Sequence, residues 1–167
     1  MQLKEFQNLI LLIKDRIYRM SYTILLNEED ARDITQEVLL KLWENKNEIQ
    51  KVFNLEAYAI VMAKNMCFHF LKNQKKLTDS KNIFSQTDMI TRQNHDEKEA
   101  LNILLKSLEF VSAEHRLVFE MKTIEGYSYD EIAEVTGLSF DNLRKIVSRT
   151  RKKISKHLQE QYSYGRD

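Results

Sequence analysis

The sequence predicts an all-α protein made of two small helical domains joined by a flexible linker. Three observations carry this. Proline is absent and glycine occurs three times in 167 residues, where average usage would give about 8 and about 12. Those two residues break helices and build tight turns, so a chain nearly without them reads as long helices. Apolar residues recur at alternating spacings of three and four, the mark of helices with one buried stripe. Between residues 73 and 97 that rhythm lapses into a polar, scattered stretch, which suits a linker better than a loop inside a domain.

The first stripe runs through Leu3, Phe6, Ile10, Ile13, Ile17, Met20 and Ile24, predicting a helix over 3–26. Asn27 offers an N-cap to the next helix, with Glu28, Glu29 and Asp30 at the positive end of its dipole. That helix reaches about Asn45 and turns Ala31, Ile34, Val38 and Leu42 inward. A third starts near Leu55 and continues through Tyr58, Met62, Met66 and Phe70 to about Lys75. Together they predict an N-terminal bundle of three to four helices over 1–76, followed by a linker over 77–97.

Periodicity resumes at Ala100, with Ile103, Leu104 and Leu108, and opens a four-helix domain over 98–167. Ser112 caps a helix that buries Leu117, Val118 and Met121. Ser128 and Glu131 have the spacing of a capping box, each satisfying the other's backbone donor. Gly137 suits the left-handed turn at a helix end. Ser139 caps a last helix from Phe140 to about His157.

Chemistry concentrates between Tyr129 and Arg149. A helix-turn-helix needs a small residue where its helices touch, a glycine in the turn and apolar residues at fixed offsets. Ala133, Gly137, and the set Ile132, Leu138, Leu143 and Ile146 fill those places, while Thr136 stands where an aliphatic residue is usual. The last helix is also basic. Arg144, Lys145, Arg149, Arg151, Lys152, Lys153 and Lys156 accompany a single acid, Asp141, in a chain of net charge +1. Charge alone favours a plain solvated face; charge on this turn pattern points to contacts with DNA phosphates.

Other chemistry finds no support. His69, His95, His115 and His157 lack metal-ligand spacing with one another or with Cys67, and three glycines build no phosphate loop. No catalytic residue, metal or other cofactor is expected. Cys67 lies among Met66 and Phe68, where packing is its natural role. No secretory signal precedes the first helix, and no apolar run approaches the roughly 18–20 residues that span a bilayer. The expected compartment is the cytoplasm, without membrane insertion.

The first domain leaves two features open. Asp33, Gln36 and Glu37 share one helix face by spacing, either as ordinary solvated residues or as a contact surface. The third helix interleaves aromatic residues with Lys64, Asn65, His69 and Lys72. Such a mixture can stack on unpaired bases, or be core flanked by solubilising charges.

Taken together the chain resembles the extracytoplasmic-function type of bacterial sigma factor, a compact branch of the sigma-70 superfamily. The motif AxDxxQEVxxxLW is matched by Ala31, Asp33, Gln36, Glu37, Val38, Leu42 and Trp43, and an aromatic and AxN pattern by Phe53, Ala63 and Asn65. In the second domain, Arg116 to Phe119 and Gly126 to Glu134 look like the family's R-x-V/I-F and G-x-S-x-x-E-I-A-E elements. The resemblance covers about residues 6–76 and 98–158. It implies a transcription initiation factor that binds core RNA polymerase through its β′ and β subunits, recognises −35 and −10 elements, melts the promoter and answers to an anti-sigma factor.

By the same resemblance, Asp33, Gln36 and Glu37 contact polymerase. Phe53, Tyr58, Lys64, Asn65, Phe68, His69 and Lys72 engage the −10 element, where unstacking must be offset by pocket contacts. Phe140, Asp141, Arg144, Lys145 and Ser148 reach −35 base edges in duplex DNA, with Ser128, Arg149 and Lys152 beside them. His69, Tyr58, Ser112 and Ile146 depart from the family's usual aspartate, tryptophan, proline and arginine, so the promoter sequence is not inherited with the fold. The rival readings are a self-sufficient dimeric helix-turn-helix regulator and a protein-binding adaptor.

Overall fold

The structure, a computed structural model, describes residues 3–49, 52, 54–78, 103 and 106–164. Every regular element among them is helical: α1 (Leu3–Leu25), α2 (Glu28–Glu44), α3 (Lys46–Ile49), α4 (Leu55–Thr78), α5 (Ala113–Thr123), α6 (Tyr129–Thr136) and α7 (Phe140–Tyr164). A helical turn at 106–109 precedes α5. The described residues fall into two compact units, one inside Met1–Ser85 and the other inside Gln86–Asp167. The expected linker lies outside the described residues except at 77 and 78, which extend α4. Ala100 and Leu104 also lie outside them, and so does Phe53.

In the first unit α1, α2 and α4 pack against one another. Ile13, Ile17, Met20 and Ile24 of α1 meet Ala31, Ile34, Val38 and Leu42 of α2 in the core, as their periodicity requires. Leu26 takes a left-handed φ of 53° between these helices. Asn27 then caps α2 by accepting a bond from the Asp30 N–H at 3.0 Å. Lys46 closes the far end, its Nζ 3.8 Å above the Trp43 ring, a cation–π contact that holds the α2–α3 corner.

The register of α4 differs from the sequence expectation. Its buried face is Ala59, Ile60, Ala63 and Cys67, while Tyr58 is 41% exposed and Met62, Met66 and Phe70 are half-buried. Small residues let α4 approach its neighbours closely, so the larger apolar side chains flank the contact. An Arg16–Glu56 ion pair ties α1 to α4 at the boundary of this core. Burial pushes the Cys67 thiol up to about 11, which keeps it a neutral core residue.

In the second unit α5, α6 and α7 pack pairwise around Leu117, Val118, Met121, Ile132, Val135, Leu143, Ile146, Val147 and Ile154. Ser112 caps α5 through the His115 N–H. Buried Arg116 donates from Nη1 to the carbonyls of Leu108 at 3.2 Å and Val111 at 2.6 Å. It thereby satisfies acceptors at the end of the preceding turn that an apolar residue would leave bare. Burial lowers its pKa, yet an arginine remains charged across the biological range.

Candidate nucleic-acid interface

The path from α5 to α7 is fixed by two left-handed glycines and two caps. Gly126 has φ 76° and Gly137 has φ 75°. Between them Ser128 and Glu131 form the full capping box: the Ser128 hydroxyl accepts from the Glu131 N–H at 3.2 Å, and Glu131 Oε2 accepts from the Ser128 N–H at 2.7 Å. These bonds hold the Glu131 carboxyl below the usual carboxylate range. The Ser128 side chain is thus engaged in starting α6.

At the other end of α6, the Gly137 N–H bonds the Ala133 carbonyl at 2.8 Å. Thr136, the departure from the usual aliphatic residue, has a local role. Its hydroxyl donates to the Ile132 carbonyl at 2.7 Å and accepts from the Leu138 N–H at 3.3 Å, so it closes the turn polar group by polar group. Beyond its chain neighbours no heavy atom lies within 4 Å of where a Cβ on Gly137 would sit, so only the backbone conformation resists a side chain there. Gly137→Ala is expected to lower the stability of the second unit by about 1–2 kcal/mol, read as a lower denaturant midpoint with an unchanged slope.

This turn presents α7 with Leu143, Ile146, Val147, Thr150 and Ile154 inward and Phe140, Asp141, Arg144, Lys145, Ser148, Arg149 and Lys152 exposed. A groove of about 850 Å³ runs along that exposed face, lined by Arg144, Lys145, Ser148, Arg149, Arg151 and Lys152 of α7 with Lys122, Thr123 and Tyr129 opposite. Its walls are basic, and no acid lines it. A concave surface of one sign concentrates an anionic ligand.

Five of the −35 candidates therefore converge on one groove. Phe140 borders it, its ring 4.9 Å from that of Tyr129 at 65°, with the Arg144 guanidinium carbon 6.0 Å from the Phe140 centroid. Asp141 is exposed on the same turn. Lys122 is a groove residue that sequence reasoning missed. Its Nζ lies 4.7 Å from the Tyr129 ring centroid and donates to the Tyr127 carbonyl at 3.0 Å. Lys122 sits in the last turn of α5, outside the run of charge on the last helix.

The first unit presents two further surfaces. Asp33, Gln36 and Glu37 are all exposed on α2, with Glu37 paired to Lys41 at 3.0 Å. Leu40, 55% exposed, continues their face. On α4, Tyr58, Asn65, His69 and Lys72 share the exposed face opposite the core, and Phe68 and Lys64 flank it half-buried. His69 Nδ1 lies 3.3 Å from Asn73 Nδ2. Among the described residues no cluster of His, Cys, Asp and Glu could hold a metal, and no helix is long and apolar enough to cross a membrane.

Comparison with known proteins decides the family. The family model described as Sigma-70 region 2 matches residues 9–77, and that described as Sigma-70, region 4, matches residues 101–154. The chain belongs to the sigma-70 superfamily, in its extracytoplasmic-function branch. This sigma factor is 23% identical over 150 residues to the ECF RNA polymerase sigma factor SigE of Mycolicibacterium smegmatis, covering 86% of this chain and 58% of that protein. It is 22% identical over 167 residues to the ECF RNA polymerase sigma factor SigW of Bacillus subtilis, covering 93% and 89%.

Two of the solved structures that share the fold are complexes. One is the sigma factor RpoE in complex with the anti-sigma factor NepR from Bartonella quintana, with TM-score 0.79 and 22% identity over 94% of this chain and 98% of that one. The other is CnrH in complex with the cytosolic domain of CnrY, with TM-score 0.67 and 18% identity over 95% and 90%. The two matched regions coincide with the units that carry the α2 and α4 surfaces and the basic groove.

Proposed function

We propose that this sigma factor is a dissociable, non-catalytic specificity subunit of RNA polymerase that acts in the cytoplasm. Residues 1–76 and 98–167 act as separate modules joined by 77–97. The second module reads the −35 element by placing α7 in the major groove. The observation that carries this reading is the basic groove, whose charge lies along α7, the helix that follows the left-handed Gly137 turn as the second helix of a helix-turn-helix. Arg144, Lys145, Ser148, Phe140 and Asp141 face base edges; Arg149 and Lys152, joined by Lys122, hold the phosphates.

The first module binds core polymerase through Asp33, Gln36 and Glu37 and captures −10 bases through Tyr58, Asn65, His69 and Lys72, with Lys64 and Phe68 beside them; Phe53 is added from the family motif alone. Aromatic and amide groups on one exposed face suit unpaired bases, since stacking needs an open ring and base edges need hydrogen-bonding partners. An anti-sigma factor is the expected partner, as in the related complex of RpoE with the anti-sigma factor NepR.

Run-off transcription from genomic fragments, with and without added core enzyme, tests the reading. Specific initiation should appear only when chain and core are combined. A tight gel shift by the free chain at physiological salt would favour a self-sufficient regulator. For Gln36→Ala, affinity for core should fall about fivefold, the scale of one lost hydrogen bond of about 1 kcal/mol. The helical circular dichroism should not change, because Gln36 is exposed. Undiminished association with core would remove Gln36 from that surface.

A further inference from the structure

Phe140 opens the helix that carries the basic groove and is 48% exposed. It is not left to rotate freely. Tyr129 packs against it at 4.9 Å and 65°, and Tyr129 is itself held beneath the Lys122 ammonium. One helical turn on, Arg144 brings its guanidinium carbon to 6.0 Å from the same ring. Tyr129 and Arg144 both line the groove, so the ring they flank stands at its rim.

In a helix-turn-helix the first residues of the second helix meet the base edges. A phenyl ring offers no donor or acceptor to the polar atoms displayed there. The apolar group that the major groove presents is the C5 methyl of thymine. Arginine, by contrast, forks onto guanine O6 and N7. With the two side chains this close, their targets fall on neighbouring base pairs.

We infer that Phe140 is a thymine-reading residue, its ring packed on the C5 methyl of a thymine beside the guanine taken by Arg144. This rests on the proposal that α7 reads duplex promoter DNA. It adds that specificity at one position is apolar, set by a ring that Tyr129, Lys122 and Arg144 orient before DNA arrives. Preorganisation of this kind lowers the ordering cost of the contact.

The test uses the full chain bound to core polymerase and a duplex pool randomised across the upstream element. The enriched duplexes are resynthesised with uracil in place of each thymine in turn, a change that deletes one methyl and keeps the pairing. At one thymine next to a guanine, uracil should weaken binding about fourfold, the scale of one buried methyl-sized group. Phe140→Ala should bind thymine and uracil duplexes equally there, and its own selected pool should keep the guanine while losing the thymine.

Because the thymine-to-uracil ratio is measured first on the unaltered protein, the result does not depend on how the variant folds. A ratio of one at every thymine, or an enriched element without thymine, overturns the inference and leaves promoter reading intact. If no element is enriched at all, promoter reading fails and the inference falls with it. If Phe140→Ala weakens all duplexes alike while the unaltered protein shows no uracil penalty, Phe140 only supports Tyr129.

Discussion

Replacing Leu143 by alanine is expected to remove about 2–5 kcal/mol from the second unit. Leu143 is fully buried on the helix that packs against both α5 and α6. The unit lies inside Gln86–Asp167, and at about 0.05–0.15 kcal/mol per residue a domain of that length carries roughly 4–12 kcal/mol. One cavity at that position therefore consumes a large share of its margin. The expected result is selective. Amide hydrogen exchange in α5, α6 and α7 should accelerate toward that of an open chain, while α1, α2 and α4 keep their protection, because the two units have separate cores. Equal loss of protection in α1 and α4 would mean that the units unfold as one body. In transcription, the variant should lose upstream-element specificity before it loses association with core.

That the chain divides into two helical units was legible from composition. An absence of proline, a scarcity of glycine and one polar gap are enough to set long helices in two groups. Caps were legible too, because Asn27, Ser112, Ser128 and Ser139 each precede a helix whose first N–H groups need acceptors. The register of α4 was not. Tyr58, Met62, Met66 and Phe70 recur at helical spacing just as Ala59, Ile60, Ala63 and Cys67 do, and periodicity alone does not choose between the two stripes. What decides is the distance at which α1 and α2 approach, which rewards small residues and depends on helices far away in sequence.

The same limit applies to the ends of α3 and α7. Four residues at Lys46–Ile49 are too few to show a period. α7 continues to Tyr164, past His157, because apolar spacing thins there while no breaker intervenes until Gly165. At the groove, Arg144 and its neighbours were visible as a run of charge, whereas Lys122 and Tyr129 join them only once the turn folds α5 and α6 back on α7. Spacing alone left the α2 and α4 faces undecided between solvated surface and contact site. The structure adds their exposure and, on α2, the company of Leu40.

Arg144→Ala is the substitution that separates reading from holding. If Arg144 forks onto a guanine, its loss should cost about 1–3 kcal/mol, or roughly 5- to 150-fold, against the preferred base and much less against the others. The preference at that position should flatten, with no change in how binding falls with salt beyond the removal of one charge. Lys152→Ala and Arg149→Ala should behave in the opposite way. Each removes a cation from the groove wall, so each should weaken all sequences alike and reduce the slope of log affinity against log salt by about one. The comparison requires competition binding by the polymerase complex at two or more salt concentrations on a set of single-base variants. Should Arg144→Ala lower every variant by the same factor, its guanidinium belongs with the phosphates, and the recognition helix must sit more shallowly in the groove than its exposed face allows.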